Sequence, residues 1–366
     1  MKRRLFLIFA ISLGVASTAF ADRQITSVAT YTVKLATVPK KITLSVKPVK
    51  PEEVVLNWFQ SGREVGPNFS LRNDGVAGKE VYVYDPKPAA KQAFQVGYDS
   101  FLKQDYEDAL RKFSMAMKLD PGFHKVLLFI GDSHFMKGEY EKAIIYFSKL
   151  LEINPIDYLA AMYLADAYWK MGKLSEAKKY LIHSLILNVR NGETWAKLRG
   201  LGDVMGFEVE VDRFIPLVLE GGSSGVVKMD NDVWKHYVTC KNVWKNDPNF
   251  FKEKTQLSAY KLTLAEETEC TINLLEGLAL EKKKNPKLQF PKSIERLQKI
   301  SKANQLFNLI LLELYLPKDP LMSANFKENQ VNDLAHYIEN YVLVGAKPSK
   351  KSFVNEIRRT LSSQED

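Results

Sequence analysis

One pattern constrains the fold of this chain more than any other: similar residues return every 34 residues between positions 97 and 189. Small residues fill two of these columns, Gly97, Gly131 and Ala165 in one and Ala109, Ala143 and Ala177 in the other. A bulky column follows at Phe113, Phe147 and Leu181, and a turn column at Pro121, Pro155 and Val189. Several columns that share one period without insertions predict a stack of helical hairpins.

The residue types explain how such a stack would pack. The small columns let neighbouring helices approach closely, and the bulky column fills the space between hairpins. Gly138 and Gly172 lie between the two helices of their hairpins, where a chain reversal favours positive φ. Asp120-Pro121 and Asn154-Pro155 are turn signals that separate one hairpin from the next.

These columns resemble the tetratricopeptide repeat (TPR) family, whose pattern joins Leu-Gly, Ala, an aromatic residue and Pro at fixed offsets. The second repeat matches this pattern at Ile130-Gly131, Ala143, Phe147 and Pro155. The third repeat loses the aromatic residue and the Pro, and residues 192–203 are expected to form a lone capping helix. The resemblance covers about residues 90–204 and implies a solenoid that binds other polypeptides.

In the TPR family the first helix of each hairpin lines a concave groove, so the resemblance implies where a partner would bind. The corresponding residues are Phe94, Tyr98 and Phe101, then Leu128, Asp132 and Phe135, and finally Met162, Asp166 and Trp169. The alternative for Phe101, Phe135 and Trp169 is a place in the core. Asp132 and Asp166 favour an amphipathic or basic partner segment. The groove lacks the Lys and Asn set with which some relatives clamp a terminal carboxylate, which disfavours that ligand.

The N-terminus predicts export. Lys2, Arg3 and Arg4 precede an apolar run from Leu5 to Val15, and Ala19-Phe20-Ala21 has the small-x-small pattern of a signal-peptide cleavage site. The run is too short to span a bilayer comfortably, which argues against the alternative of a membrane anchor. No cysteine lies directly after the apolar run, so lipoprotein processing is not indicated. The expected location is the bacterial periplasm.

Charge and cysteine usage add little specific chemistry. Removing three positive charges with the signal lowers the formal net charge from +9 to +6, an excess too diffuse to predict nucleic-acid binding. A disulfide between Cys240 and Cys270 would close a loop of about 30 residues, and two buried thiols are the alternative. The chain has no CxxC pair, and we expect neither a metal site nor a cofactor.

One pattern in the chain is compatible with catalysis. Gly221, Ser223 and Gly225 match the G-x-S-x-G of a nucleophile elbow, after a strand-like segment. The other members of a serine-hydrolase triad would come from His236, His336, Asp319 and Asp333. An elbow needs a parallel sheet beneath it, which this region does not predict, and Gly-Gly-Ser-Ser-Gly is typical of a linker. A flexible turn is therefore the favoured interpretation.

The remaining segments are less regular. Thr30 to Val38 and Lys41 to Val46 alternate apolar and polar residues, which predicts short strands or extended chain. Phe214 to Leu219 predicts a short strand or buried segment, and the apolar run Phe307 to Leu316 predicts core. One acidic helix face is expected to be solvated, that of Glu266, Glu267 and Glu269.

Together these patterns predict a mainly α protein: a TPR helical-hairpin solenoid with a C-terminal helical domain and a short N-terminal extended or β region. The predicted segments are a signal peptide (1–21), the extended or β region (22–89), three repeats with a capping helix (90–204), a linker or short strand (205–229), a helical domain (230–345) and a basic flexible tail (346–366). The predicted function is a non-enzymatic protein-interaction scaffold in the cell envelope. The alternatives are an envelope serine hydrolase and a structural subunit of an assembly, secretion or export complex.

Overall fold

The structure, a computed structural model, describes residues 25–50, 69–73, 79–210, 214–220, 225–345 and 357. Its α-helices are α1 (Val28–Thr37), α2 (Pro88–Leu102), α3 (Tyr106–Leu119), α4 (Lys125–Met136), α5 (Tyr140–Ile153), α6 (Tyr158–Lys170), α7 (Leu174–Leu187), α8 (Gly192–Met205), α9 (Lys235–Asn246), α10 (Pro248–Thr255), α11 (Leu264–Lys284), α12 (Lys292–Lys302), α13 (Leu306–Leu309) and α14 (Glu328–Tyr337). Segments of 3-10 helix span Asp232–Trp234 and Pro320–Asn325, and π-helical segments span Ile310–Tyr315 and Ile338–Val342.

The strands in the described ranges are short and form three separate sheets. They are β1 (Thr43–Val46), β2 (Phe69–Asn73), β3 (Lys79–Val83), β4 (Glu208–Val209), β5 (Val218–Glu220), β6 (Val226–Met229) and β7 (Leu343–Val344). The pairs β2–β3 and β4–β7 are antiparallel, and the third sheet has the order β1-β6-β5. The prediction of a mainly α fold is confirmed.

The chain divides into two compact units. The repeat unit comprises residues 62–211 and 316–366, and the bundle unit comprises residues 1–61 and 212–315. This division differs from the single helical domain predicted for residues 230–345. Residues 328–339 pack on the repeats, because α14 contacts α7 and Lys178 Nζ lies 2.9 Å from Glu339 Oε1.

The repeat unit contains the predicted hairpins, α2–α3, α4–α5 and α6–α7, followed by the lone helix α8. The small column is needed for their close packing. A Cβ atom at Gly131 would lie 2.5 Å from the ring of Phe147, and one at Gly97 would lie 2.8 Å from the ring of Phe113. A larger side chain in either position would force the two helices of the hairpin apart.

The turns inside the hairpins repeat as faithfully as the helices do. Gly138 and Gly172 have φ values of 77° and 73°, as predicted, and Gln104 takes the same place in the first hairpin with φ 63°. Gly206, at φ 77°, repeats this turn after α8. The chain then enters β4 instead of a further helix, so α8 is the first half of an incomplete fourth hairpin.

The N-terminal segment of the bundle unit departs from its prediction. The alternation at Thr30 to Val38 predicts a strand, and this is wrong, since the segment forms α1. The side chain of Ser27 caps the helix by accepting a hydrogen bond from the Thr30 N–H. Tyr31 is fully buried, and its hydroxyl accepts a hydrogen bond from Trp244 Nε1 at 2.9 Å. Packing of this one side chain against α9 outweighs a short period-2 pattern.

Two helices of the bundle unit are joined covalently. Cys240 on α9 and Cys270 on α11 form a disulfide, with their Cα atoms 5.3 Å apart. The apolar run predicted as core follows in the same unit and is buried from Leu309 to Tyr315. Within it, Glu313 accepts two hydrogen bonds from Arg296, at 2.8 and 2.7 Å.

The acidic face of α11 is buried, so the prediction that it is solvated is wrong. Glu266 and Glu267 are 0% exposed. Lys241 Nζ on α9 pairs with both carboxylates, at 3.0 Å from Glu267 Oε1. Glu269 accepts a hydrogen bond from the Thr26 N–H at 2.8 Å. The spacing of the glutamates along α11 could not predict their burial, because the groups that pair with them, such as Lys241 and the Thr26 N–H, come from other segments of the chain.

Candidate functional site

The first helices of the hairpins form one layer of the repeat unit. Helix α2 contacts α4, and α4 contacts α6, more closely than the second helices α3, α5 and α7 contact one another. In a curved stack the layer with the closer helices lies on the concave side. We call the open side of this layer the inner face; its polar and aromatic side chains are Tyr98, Phe129, Asp132, Tyr163, Asp166 and Lys197.

Two of the residues predicted to line the groove do not reach its surface. Leu128 and Met162 are 3% and 0% exposed, so their assignment to the groove is wrong. Both are on helices that pack against a hairpin on either side, and Met162 points at the next helix, where its sulfur accepts a hydrogen bond from Thr194 Oγ1 at 3.5 Å. Their column therefore serves contacts between hairpins.

Each of the predicted aromatic residues of the first hairpin is partly buried in the core and partly exposed. Phe94, Tyr98 and Phe101 are half-buried, and their rings surround Phe129 at centroid distances of 5.0, 5.5 and 6.3 Å. Lys125 Nζ lies over the Phe94 and Phe129 rings at 5.6 and 5.8 Å. Sequence reasoning missed Phe129, although it lies three residues before Asp132 and repeats at Tyr163.

The second and third hairpins keep their predicted aromatic residues partly exposed. Phe135 is half-buried, with its ring 5.3 Å from that of Tyr140 in the same hairpin. Trp169 is also half-buried and faces α8, where a Cβ atom at Gly200 would lie 3.3 Å from its ring. Both rings therefore contribute to packing and to the surface.

The predicted acidic pair lies on the inner face, and its two members differ. Asp166 pairs with Lys197 Nζ at 2.9 Å. Asp132 is half-buried and makes no hydrogen bond or ion pair with any residue that the structure describes. Burial, together with the nearby charge of Asp166, raises the pKa of Asp132 to about 6.

Burial and neighbouring charges also raise the pKa values of Tyr163 and Asp166 on this face. Burial raises the pKa of Tyr163 to about 12, and the charges of Asp132, Glu193 and Asp166 add to the shift. Burial also raises the pKa of Asp166, against the lowering effect of its hydrogen bond from Lys197. The inner face is therefore locally electronegative at Asp132, and a cationic group placed there would meet both a charge and aromatic rings.

The candidate nucleophile elbow lacks its structural context. Ser223 lies outside the described residues, but the strands that flank it, β5 and β6, are antiparallel neighbours. A nucleophile elbow joins a strand to a helix, whereas here strand leads to strand. His236 Nε2 is hydrogen-bonded to Glu281 Oε1 at 2.8 Å, and His336 Nδ1 lies 3.2 Å from Asn340 Nδ2.

Among the described residues, no three His, Cys, Asp or Glu side chains come together as a metal site requires. None of the helices in the described ranges is long and apolar enough to cross a membrane. The predicted signal peptide (1–21) and nearly all of the basic tail (346–366) lie outside the described residues.

One family profile and several solved structures are similar to the repeat unit. A family profile described as the TT21 fifth ARM repeats domain matches residues 125–194. The first TPR domain of human RPAP3 is 21% identical, with a TM-score of 0.31, over 32% of this chain and 93% of its own. No curated protein matches this chain significantly.

Two further solved structures resemble the same third of the chain. The Yersinia enterocolitica type III secretion chaperone SycD, in complex with a peptide of the translocator YopD, is 19% identical with a TM-score of 0.30, over 32% of this chain and 95% of its own. The Sgt2 TPR domain from Aspergillus fumigatus is 16% identical with a TM-score of 0.32, over 33% and 82%. The TPR-like fold of the repeat unit is established by its own hairpins.

Proposed function

We propose that this protein is a non-enzymatic interaction scaffold that holds a segment of a partner protein on the inner face of its repeats. The partner segment is amphipathic and carries a basic side chain. That side chain lies at Asp132, and apolar side chains contact the half-buried rings of Tyr98 and Phe129. The repeat unit supplies the binding surface, and no covalent chemistry is involved.

The observation that carries this proposal is the state of Asp132. A half-buried carboxylate is costly unless a donor or a cation answers it. Asp166, one repeat away, has its cation in Lys197, whereas Asp132 has no such partner among the described residues. A Lys or Arg side chain from a partner would complete the site, because it would add a charge-assisted hydrogen bond where water is partly excluded.

The proposed location is the periplasm of a bacterium. Its support is the N-terminal pattern of charge, apolar run and Ala19-Phe20-Ala21, together with the Cys240–Cys270 disulfide, which suits an oxidising compartment. N-terminal sequencing of the protein from the envelope fraction should begin at Asp22. Intact Met1 in protein from the cytoplasm would contradict this location.

Site-specific photo-crosslinking in intact cells tests the binding surface. A photoreactive amino acid at Tyr98, on the inner face, should give a discrete crosslinked partner. The same group at Ile145, an exposed residue of α5 in the second-helix layer, should not. Asp132→Arg should abolish the Tyr98 product, because it replaces attraction by repulsion, whereas Glu152→Arg on the exposed side of α5 should leave it unchanged.

Two further readings decide the outcome. Circular dichroism and thermal melts should show that Asp132→Arg stays folded, since it would otherwise lose the partner trivially. If Tyr98 and Ile145 give the same products, or if Asp132→Arg and Glu152→Arg behave alike, the inner face is not the binding surface.

A further inference from the structure

Strand β1 of the bundle unit lies at an edge of its sheet. The strand order is β1-β6-β5, and β1 pairs with β6 in parallel. The N–H groups of Thr43 and Lys47 donate to carbonyl oxygens on the β6 side at 2.9 and 2.8 Å. The backbone groups of Leu44 and Val46 point to the other side of the strand, because successive residues alternate. No residue that the structure describes pairs with them there, so this outer edge is open to a further strand.

One face of β1 carries cations and hydroxyls. Successive side chains of a strand point to opposite faces, so the side chains of Lys41, Thr43, Ser45 and Lys47 share one face. Lys228 of β6 lies opposite Ser45 in the register of the two strands. Lys41, Lys47 and Lys228 are all exposed, and none of them forms an ion pair with a residue in the described ranges. The strand therefore presents unneutralised positive charge beside its open edge.

The charge around this strand favours an acidic ligand. Asp230 lies near the same face, but its carboxylate accepts a hydrogen bond from Trp234 Nε1 at 2.7 Å. Counted from residue 22, the bundle unit carries 22 Lys and Arg against 16 Asp and Glu, whereas the repeat unit carries 27 of each. The formal excess of positive charge after signal removal thus belongs to the bundle unit, and complementary charge steers an acidic partner to it.

The same lysines disfavour a second copy of this chain as the occupant of the edge. Two β1 strands that pair antiparallel with Leu44 opposite Leu44 would put Lys41 of each copy opposite Lys47 of the other. A register shifted by two residues would leave these lysines diagonal neighbours. Like charges at such positions are destabilising, and lysines on edge strands prevent self-association in this way. A strand with carboxylates at these positions would instead be attracted.

We propose that the outer edge of β1 adds a strand from an acidic segment of a partner protein, with carboxylates opposite Lys41 and Lys47. Backbone hydrogen bonds to Leu44 and Val46 supply the affinity, and the lysines select the partner. An anionic membrane could use the lysines, but it would leave the backbone groups of the edge unpaired. This site goes beyond the proposed function, because it does not use the inner face of the repeats.

Hydrogen exchange of backbone amides in the full mature protein tests whether the edge is open. In the free protein, the amides of Leu44 and Val46 should exchange faster than those of Thr43 and Lys47, which are bonded within the sheet. If all four amides are equally protected in the free protein, the edge is already covered and the proposal is overturned.

A synthetic peptide serves as the probe of strand addition. Its sequence is Glu-Val-Thr-Val-Thr-Val-Glu, which reads the same in both directions and so fits a parallel or an antiparallel pairing. In fluorescence polarisation it should bind about tenfold more tightly than a control with Lys at both ends, because each end changes from attraction to repulsion. Binding should also slow the exchange of the Leu44 and Val46 amides. Equal affinity of the two peptides, or no slowing at these amides, would overturn the proposal.

N-methylated peptides separate strand addition from attraction between charges. One form is methylated at the amides of its three valines and the other at the amides of its two threonines. These two sets of N–H groups point to opposite sides of an extended peptide, so only one set faces β1. One form should therefore bind about tenfold more weakly than the parent peptide, and the other should bind nearly as well. Equal affinities of the two forms would overturn the proposal.

Paired charge variants supply the matched control. The double variant Lys41→Glu and Lys47→Glu should reverse the preference between the Glu and Lys peptides, and such an exchange does not depend on the stability of the variant. Lys292→Glu with Lys299→Glu, at exposed positions of α12 in the same unit, changes the net charge equally and should leave the preference unchanged. Equal effects of the two double variants would overturn the proposal.

Two further results distinguish this site from the alternatives. Vesicles that contain phosphatidylglycerol and bind through Lys41 and Lys47, while the Glu peptide does not bind, would replace the partner strand by a membrane surface. Asp132→Arg should not change binding of the Glu peptide, because that residue belongs to the inner face. If the peptide fails while Tyr98 still crosslinks to a partner, the strand site is refuted and the scaffold function stands.

Discussion

Each of the two units contains neighbouring carboxylates, and the two groups differ in the cations and hydrogen-bond donors that pair with them. In the bundle unit, Glu266 and Glu267 are fully buried and share Lys241. Tyrosine hydroxyls also donate to them: Tyr237 to Glu267 at 2.7 Å and Tyr260 to Glu266 at 3.1 Å.

In the repeat unit the carboxylates lie on an open face. Asp132 and Asp166 are half-buried, one repeat apart. Asp166 pairs with Lys197, whereas no described residue pairs with Asp132.

The pKa values alone do not separate the two groups. Burial raises the pKa of Glu266 and also that of Asp132, and a second carboxylate lies nearby in each case. The difference lies in the donors that the fold supplies. Carboxylates that pair with donors and cations of the same protein hold helices together. A carboxylate without such a partner on an accessible face can bind a cation or a donor of another molecule.

The largest expected effect belongs to the cation of the buried cluster. Lys241→Met should lower the free energy of unfolding by about 3–5 kcal/mol, because it leaves two buried carboxylates without their cation. Urea denaturation at pH 7.5, compared with wild type, measures this loss. The variant that also carries Glu266→Gln and Glu267→Gln should recover most of it, because amides need no cation.

An unchanged urea midpoint for Lys241→Met would break the comparison. It would mean that solvent reaches the bundle carboxylates as easily as it reaches the inner face. Lys197→Met serves as the control in the repeat unit, where the half-exposed pair with Asp166 should cost about 1 kcal/mol or less.

Asp132→Asn should act in the opposite direction. The folded pKa of Asp132 is about 6, above the unfolded value of about 3.9, so the folded state binds an extra proton between these values. The contribution of Asp132 to the free energy of unfolding is therefore most favourable below pH 4, falls as pH rises towards 6 and stays lower above it. The full shift corresponds to about 3 kcal/mol, and solvent screening at this half-buried site reduces it. Asn carries no charge, so Asp132→Asn should be about 1–2 kcal/mol more stable than wild type at pH 7.5.

Thermal melts at two pH values check this sign. Near pH 3.5 Asp132→Asn and wild type should melt alike, and at neutral pH the variant should melt higher while losing the Tyr98 crosslink. Gain of stability with loss of binding is expected of a binding residue and not of a structural one. A variant that is less stable at pH 7.5 would show that Asp132 has a stabilising partner within the protein.

The same comparison explains which parts of the structure could be predicted. The repeat unit was predictable because its information is local and periodic: Gly131 and Gly138 each mark a place that recurs in every hairpin. The bundle unit was not, because its contacts join distant segments, such as Tyr31 with Trp244 and Lys241 with Glu266. Even in the repeats, the resemblance to the TPR family implied that Leu128 and Met162 line the groove, whereas both are buried, because helices enclosed by neighbours bury more than one face.

A smaller change in the free energy of unfolding is expected at the turns that follow one helix in each unit. Gln104 in the repeat unit and Gln256 in the bundle unit both follow a helix with φ 63°, a conformation that strains residues with a Cβ atom. Gly occupies the equivalent places of Gln104 in the later hairpins, so Gln104→Gly should stabilise the protein by about 0.5–1 kcal/mol, the relief of strain exceeding the added entropy of the unfolded chain. Gln256→Gly should gain less, because it loses the hydrogen bond from Gln256 Nε2 to the Glu253 carbonyl at 3.3 Å.

Urea denaturation of the two glycine variants ranks them directly. Equal gains would mean that the long side-chain hydrogen bond of Gln256 contributes nothing. A loss of stability in Gln104→Gly would mean that the first hairpin does not share the turn of the other two in solution.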